Sequence, residues 1–417
     1  MDSVCDDKPA MTRPAMLSMD QALAELLGQA IPLAGKESVD TLAAHGRVLA
    51  VSVRSTLDVP PMDNTSMDGY AVRAADISAP GVRLPVSQRV PAGHVPEPLA
   101  AGSIARIFTG AMLPSGADAV VMQEQCAATG DMVEVRHVPK VGEWVRRAGE
   151  DIRAGAEILA AGTRLTPQAC GLAAAVGLAA LAVVPKLRVA VFFTGDELAM
   201  PGEPLKPGAI YNSNRFVLRG LIEGLGCRLT DYGIVRDSLE ETRKVLREAA
   251  GEHDLVITTG GVSVGEEDHV RPAVEAEGEM RLWQIAIKPG KPLAYGRVRR
   301  AGAGHADFIG LPGNPVSGFV TFLLFVRPFI QKRLGMTDLA PPSLQLRADF
   351  DWPRPDRRRE FLRARTNRNG GLDLYPNQSS GVLTSTVWGD GLIDNPPSQA
   401  IARGELVRFL PFSGLLH

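Results

Sequence analysis

Between Lys186 and about Gly335 the apolar positions alternate between continuous runs and helical spacing. Residues 187–194 (LRVAVFFT) form an unbroken apolar run, the mark of a strand buried on both faces. Residues 216–226 (FVLRGLIEGLG) carry helical spacing and end at Gly226, a C-cap signal. RLTDYGIV (228–235) reads as a strand. Ser238 and Glu241 make a capping box that opens SLEETRKVLREAAG. The strands DLVITT, WQIAIK and ADFIGL follow, then a helix from about Pro315. This alternation predicts an open, mostly parallel α/β sheet with helices on both faces, whose ligands sit at the carboxyl ends of the strands.

The flanks read differently. Residues 1–16 are expected to be a disordered lead. Ser18 and Gln21 form a capping box before ALAELLGQA. Residues 55–140, rich in Pro, Gly and short β-branched pieces, predict a small β-rich domain. Around 163–183 a helical signal returns, with Thr166 as cap, Pro167 in the first turn and ACGLAAAVGLAAL behind them. Residues 340–417 read as short strands of a C-terminal β domain. FVTFLLFV (319–326) is too short for a membrane span, is closed by Arg327-Pro328, and is expected to be a buried helix.

Composition narrows the function classes. A chain of 417 residues with 45% hydrophobic and 22% charged residues is an ordinary multidomain globular protein. A formal net charge of −2 gives no global electrostatic case for nucleic acid or an anionic membrane. The four cysteines are scattered, which suits a reducing compartment and points to the cytoplasm. No CxxC, HxxH or HExxH spacing occurs, and the acidic N-terminus has no signal-peptide core.

Candidate chemistry gathers at the expected strand ends. DLVITT empties into TTGGVSVGEED, where Gly260, Gly261 and Gly265 permit positive φ and close backbone approach, and Ser263 adds a hydroxyl. Backbone N–H groups in such loops cradle phosphate; alone, the loop reads equally as a glycine-rich turn. Thr194, Gly195 and Glu197 follow the first strand. Asp237 follows GIV. Leu311-Pro312-Gly313-Asn314-Pro315 follows ADFIG and starts a helix. Lys288 and Lys291 lie three apart in IKPGKP and suit oxyanions. Carboxylates beside a phosphate need a metal between them, so Glu197, Asp237 and Asp268 are candidate Mg²⁺ ligands. Glu266 and Glu267 read as surface acids. Outside the sheet lie PPMDNTSMDGYA (60–71), RIFTGA (106–111) and RAGEDI (147–152), each readable as a plain turn or hairpin corner. RPDRRREFLRAR (354–365) holds six arginines and is expected to be a solvated, alternating edge strand, with a phosphate contact as a secondary reading.

Taken together, PMDNTSMDGYAV, ARIFTGAMLPSGADAVVMQEQ, RRAGEDIRAG, VAVFFTGDEL, GAIYNSNRF, GIVRD, TTGGVSVGEEDHV, IAIKPGKPLAYG and GLPGNPVS resemble the molybdopterin molybdenumtransferases, molybdenum-insertion proteins related to the E domain of gephyrin. The resemblance implies a multidomain α/β fold. An elongated, discontinuous dimerisation domain (17–60 with 140–185) carries an inserted β domain (61–139). A molybdopterin-binding α/β domain (186–338) and a C-terminal β barrel (339–417) follow. It further implies a homodimer with an inter-subunit site, where MDNTSMDGY meets the glycine loop of the other chain. The implied reaction takes adenylylated molybdopterin and molybdate, inserts molybdenum and releases AMP, with Mg²⁺ as the expected ion. Asp68, Thr109, Asp151, Glu197, Asp237 and Asp268 match functional positions. Lys288, Lys291, Pro312 and Pro315 match the phosphate and oxyanion side, beside Thr194, Gly195, Gly260, Gly261, Ser263, Gly265, Gly313 and Asn314. Contact with the adenylyltransferase of the preceding step and with recipient molybdoenzymes is a further implication. Asn212 and Gln284 depart from residues often found in the family (Asp and Lys), and Ser379 and Ser380 match only loosely. Two rival functions are molybdopterin adenylylation from ATP and a non-catalytic molybdopterin-binding scaffold.

Overall fold

The computed structural model describes residues 16–261 and 269–416, so nearly all of the expected lead 1–16 lies outside the described residues. The chain forms two compact units. One comprises Ser38–His45 and Val51–Ala182; the other comprises Met1–Glu37, Gly46–Ala50 and Val183–His417.

The first unit is built on six strands: β1 (Gly69–Val72), β2 (Val82–Val90), β3 (Ile104–Ile107), β4 (Ala119–Met122), β5 (Cys126–Thr129) and β6 (Met132–Val135). They lie in the order β4-β1-β3-β2-β6-β5. Side chains alternate across the sheet. Tyr70 and Val72 therefore enter one apolar cluster with Ile104, Val121 and Val133, and Ala71 enters another with Ile107, Leu113 and Val120. The helix Pro167–Ala175 starts as expected, with Thr166 accepting from the Ala169 N–H. It stops early. Gly177 adopts φ +80, and the Leu178 and Gly177 N–H groups donate to the Ala173 and Ala174 carbonyls. This paired C-terminal closure ends the helix. The rest of the small-residue run becomes a strand, Ala180–Val183, so the helix expected over 163–183 is corrected.

The second unit carries the expected open sheet. Its elements are β7 (Arg188–Thr194), α1 (Ser213–Gly224), β8 (Arg228–Val235), α2 (Leu239–Glu252), β9 (Leu255–Thr259), α3 (Val270–Glu277), β10 (Gly278–Gln284), β11 (Pro292–Arg299), β12 (His305–Leu311) and α4 (Pro315–Thr321). The strand order is β8-β7-β9-β12-β11-β10. The first four strands are parallel and the last two antiparallel. Val189, Val191, Phe193, Leu255 and Ile257 face one cluster with Leu218 and Ile222 of α1 and the helices after β12. Ala190, Phe192 and Val256 face the other with Leu246 of α2 and Val274 of α3. Both faces are buried, which is why these strands read as unbroken apolar runs. FVTFLLFV is buried as expected. The helix does not close at Pro328, however. A wide π turn at Phe322–Val326 relieves the clash a proline imposes on the preceding turn, and α-helix resumes over Arg327–Arg333. No helix among the described residues is long and apolar enough to cross a membrane.

The same unit ends in a barrel of β13 (Leu344–Ala348), β14 (Arg359–Thr366), β15 (Gly371–Leu374), β16 (Gly391–Asn395) and β17 (Leu406–Pro411). Pairings β14–β15–β13–β17–β16 return to β14, closing the ring and leaving it no free edge. The short strand Ile287–Lys288 pairs in parallel with Arg359 and Glu360 and joins the open sheet to the barrel. The arginine run is therefore not a solvated edge. Glu360 and Arg363 are fully buried, and Arg359 pairs bidentately with Asp394 at 2.6 and 2.7 Å. The multidomain α/β fold, its β-rich insertion and its terminal barrel otherwise match expectation.

Ile257 is fully buried at the centre of the open sheet. Ile257→Ala is expected to destabilise the second unit by about 2–5 kcal/mol, read as a lower urea midpoint for the corresponding unfolding transition.

Candidate functional site

Parallel register brings three strand ends level. Phe193 pairs with Thr259, and Thr259 pairs with Leu311, so the chain leaves β7, β9 and β12 along one line. The Gly260 N–H donates to the Leu311 carbonyl at 3.1 Å. Gly261, at φ +63, has no space for a side chain: a Cβ would lie 2.5 Å from Val270 Cγ2 and 3.1 Å from Thr194 Oγ1. Asn214, in the first turn of α1, donates through Nδ2 to the Gly313 carbonyl at 2.8 Å and ties the third loop to the first helix.

Two adjoining clefts open from this line and share Gly260, Gly313 and Asn314. One, of about 460 Å³, is cationic, with Lys288, Lys291 and Arg358 beside Ser317 and Ser379. The other, of about 590 Å³, holds Thr194, Glu197, Tyr211 and Asn212 and has no Lys or Arg among the described residues of its lining.

The cationic cleft does not offer its charges equally. Lys288 Nζ sits 3.2 Å from Glu360 Oε1 and 3.5 Å from Asp356 Oδ2. Glu360 also accepts from Trp352 Nε1 at 2.8 Å. Arg358 grips Asp356 at 3.0 and 2.9 Å and holds that carboxyl well below the usual range. Lys291 is exposed and has no ion pair among the described residues. Behind the wall lies Arg363, fully buried. It donates to Ser385 Oγ at 3.1 Å and to the Phe361 and Ser379 carbonyls at 3.2 and 3.3 Å. Burial pulls its pKa down to about 10. No carboxylate among the described residues pairs with it, so a positive charge stands uncompensated just behind Ser379.

Comparison with known proteins assigns the chain. Three family models match in order: MoeA N-terminal region (domain I and II) over residues 17–177, probable molybdopterin binding domain over 190–332, and MoeA C-terminal region (domain IV) over 345–412. A molybdopterin molybdenumtransferase of Haemophilus influenzae is 37% identical over 409 residues, covering 96% of this chain and 100% of its own length. The chain belongs to the molybdopterin molybdenumtransferase family. Molybdopterin molybdenumtransferase 2 of Mycobacterium tuberculosis is 37% identical over 393 residues, 90% of this chain and 94% of that one. The crystal structure of a molybdopterin biosynthesis MoeA protein from Pyrococcus horikoshii OT3 matches with a TM-score of 0.82 at 30% identity, covering 95% of this chain and 100% of that chain.

The residues that the family resemblance singled out fall into five groups. Thr194, Glu197, Gly260, Gly313, Asn314 and Pro315 line the second cleft, and Gly195 adjoins it at φ +139. Gly260, Gly261, Lys288, Lys291, Pro312, Gly313 and Asn314 line the cationic cleft. Asp237 is half-buried just past the end of β8 and lines neither cleft. In the other compact unit, Asp68 accepts from both the backbone N–H and Oγ1 of Thr109, each at 2.7 Å, and these bonds lower the Asp68 pKa. Asp151 is exposed in that unit, with its N–H on the Val59 carbonyl at 3.0 Å. Ser263, Gly265 and Asp268 lie outside the described residues.

Gln378 went unread as a cleft residue, Arg358 was covered only by the secondary phosphate-contact reading of its arginine run, and Ser379 and Ser380 were only loosely matched. The sole signal for 378–380 was the small-residue QSSG run after a strand. Asn212 caps α1 by accepting from the Arg215 N–H at 3.1 Å, a job Asn and Asp share, so that departure leaves the helix start intact.

The two lysines should behave differently. Lys288→Met strands the buried Glu360 and is expected to cost about 1–3 kcal/mol of stability, less than a fully buried pair because Lys288 keeps solvent contact. Lys291→Met should leave stability within about 0.5 kcal/mol yet weaken binding of an oxyanion probe such as sulfate. Urea unfolding and calorimetric titration separate the two outcomes.

Proposed function

We propose that this chain inserts molybdenum into molybdopterin: it takes the adenylylated pterin and molybdate, cleaves the phosphoanhydride, loads molybdenum at the dithiolene and releases AMP. The observation that carries the reading is the cationic cleft at aligned strand ends, backed by a buried arginine, in a chain whose relatives are named for this transfer. Molybdate is a dianion and a diphosphate carries further charge. A preorganised set of cations and backbone donors that needs no reorganisation stabilises both. Lys291 serves as a direct donor, and the Gly260–Gly261 turn lets the substrate approach the backbone closely. Lys288 and Arg358 are held by acids and shape the wall. Arg363 acts through Ser379.

Among the described residues no three His, Cys, Asp or Glu side chains converge to hold a metal. Mg²⁺ seldom uses such a cage; it takes one or two carboxylates and completes its shell with substrate phosphates and water. Glu197, exposed in the cleft lining, and Asp237, beside the neighbouring strand end, are donors of that kind, and with Asp268 they would hold the ion. Bound there, Mg²⁺ supplies charge compensation to the diphosphate. The proposed working form is a homodimer whose site draws on both chains, which gives the Asp68–Thr109 pair and Asp151 a substrate to act on. Free thiols at Cys126, Cys170 and Cys227 support a reducing, cytoplasmic setting.

A single-turnover assay with purified chain, adenylylated molybdopterin, Mg²⁺ and molybdate tests this reading. AMP release should require molybdate and fall by at least roughly a hundredfold in Glu197→Gln, the scale of a lost electrostatic contact in a transition state. Formation of the AMP adduct from ATP would instead assign the preceding step. Tight adduct binding without AMP release would assign a carrier or scaffold.

A further inference from the structure

The two clefts meet at Gly260, Gly313 and Asn314 but have opposite character. The cations lie in one. The other has none among the described residues of its lining, and its lip is the short strand Ile210–Tyr211, with Ile210 56% and Tyr211 43% exposed. This exposed apolar lip is rigidly held. Ile210–Tyr211 pairs in parallel with Leu198–Ala199. The Ile210 N–H donates to the Glu197 carbonyl at 2.8 Å, and the Asn212 N–H to the Ala199 carbonyl at 2.9 Å. The Tyr211 hydroxyl donates to the Glu203 carbonyl at 3.0 Å, pinning the far end of the ring. Asn212, locked as the cap of α1, fixes the next residue. An aromatic ring anchored at both ends in a residue that stays 43% exposed is a stacking platform prepared at low entropic cost.

We propose that Ile210 and Tyr211 form the wall on which a planar nitrogen heterocycle of the substrate stacks, with the diphosphate of the same molecule lying across Gly260 and Gly313 toward Lys291. The proposal rests on the functional reading above only for the identity of the ligand. Charge chooses the orientation: the diphosphate lies at the junction, drawn toward the cleft that holds cations, which leaves the ring for the cleft with no Lys or Arg among its described lining residues. Pterin and adenine share the required flat π face, and the experiment separates them.

The test titrates the full chain with three probes: AMP, ribose 5-phosphate and 6-hydroxymethylpterin. Tyr211→Ser should lose roughly tenfold in affinity for a ring-bearing probe, the usual scale of a base–aromatic stack, with ribose 5-phosphate unchanged. Tyr211→Trp should retain ring affinity. Ile210→Ser, read in the same titrations, provides a second variant should Tyr211→Ser fold poorly. A loss confined to AMP assigns the platform to adenine; a loss confined to the pterin assigns it to the pterin. Unchanged affinity for both rings, or an equal loss for ribose 5-phosphate, overturns the proposal. So does an altered oligomeric state with ring affinity intact, which would make the patch a subunit contact. These readouts need no turnover, so stacking at Tyr211 without molybdate-dependent AMP release would refute the functional reading alone.

Discussion

The site depends on one register. β7, β9 and β12 are paired in parallel so that Phe193, Thr259 and Leu311 lie level, and the loops that leave them touch. Strands buried on both faces hold such a register tightly, because a one-residue slip would exchange the side chains packed under α1 with those packed under α2 and α3. The loops then approach at distances only glycine permits. Gly260 donates to Leu311, and Gly261 lies against Val270 and Thr194 with no volume for a methyl group. Glycine is required here by contact as much as by φ, and the close approach turns two backbone corners into a surface a ligand can reach.

Charge is arranged around that surface in layers. Lys288 and Arg358 are engaged by Glu360 and Asp356 and brace the joint between the open sheet and the barrel. Lys291 stands in solvent. Arg363 is buried among neutral acceptors with no acid beside it among the described residues. A buried unpaired cation is costly, and an anion in the adjoining cleft is the partner that would recover part of that cost. The barrel therefore supplies electrostatics to a site whose framework belongs to the sheet.

Much of this was legible in the chain. The Ser18 capping box, the strand over 228–235 and the Gly226 stop were local signals and appear where they were read. Glu197, Gly260 and Asn314 could be placed because an open parallel sheet gathers its strand ends. Failures came where non-local pairing overruled local pattern. Arg359 looked solvated because its acid, Asp394, lies far along the chain on a neighbouring barrel strand. The small-residue run after Pro167 looked helical throughout because alanine favours helix, and Gly177 overrode that preference. Ser379 and Ser380 lacked any periodicity to announce them. Only closure of the barrel brings them to the cleft.

The most direct measurement is the position of molybdenum itself. Crystals of this chain equilibrated with molybdate and measured at the molybdenum absorption edge should show the anomalous peak in the cleft between Lys291 and Ser379, in front of Arg363. A peak elsewhere on the surface with that cleft empty, for instance at the arginines Arg188 and Arg228 near the opposite end of the strands, would contradict the account.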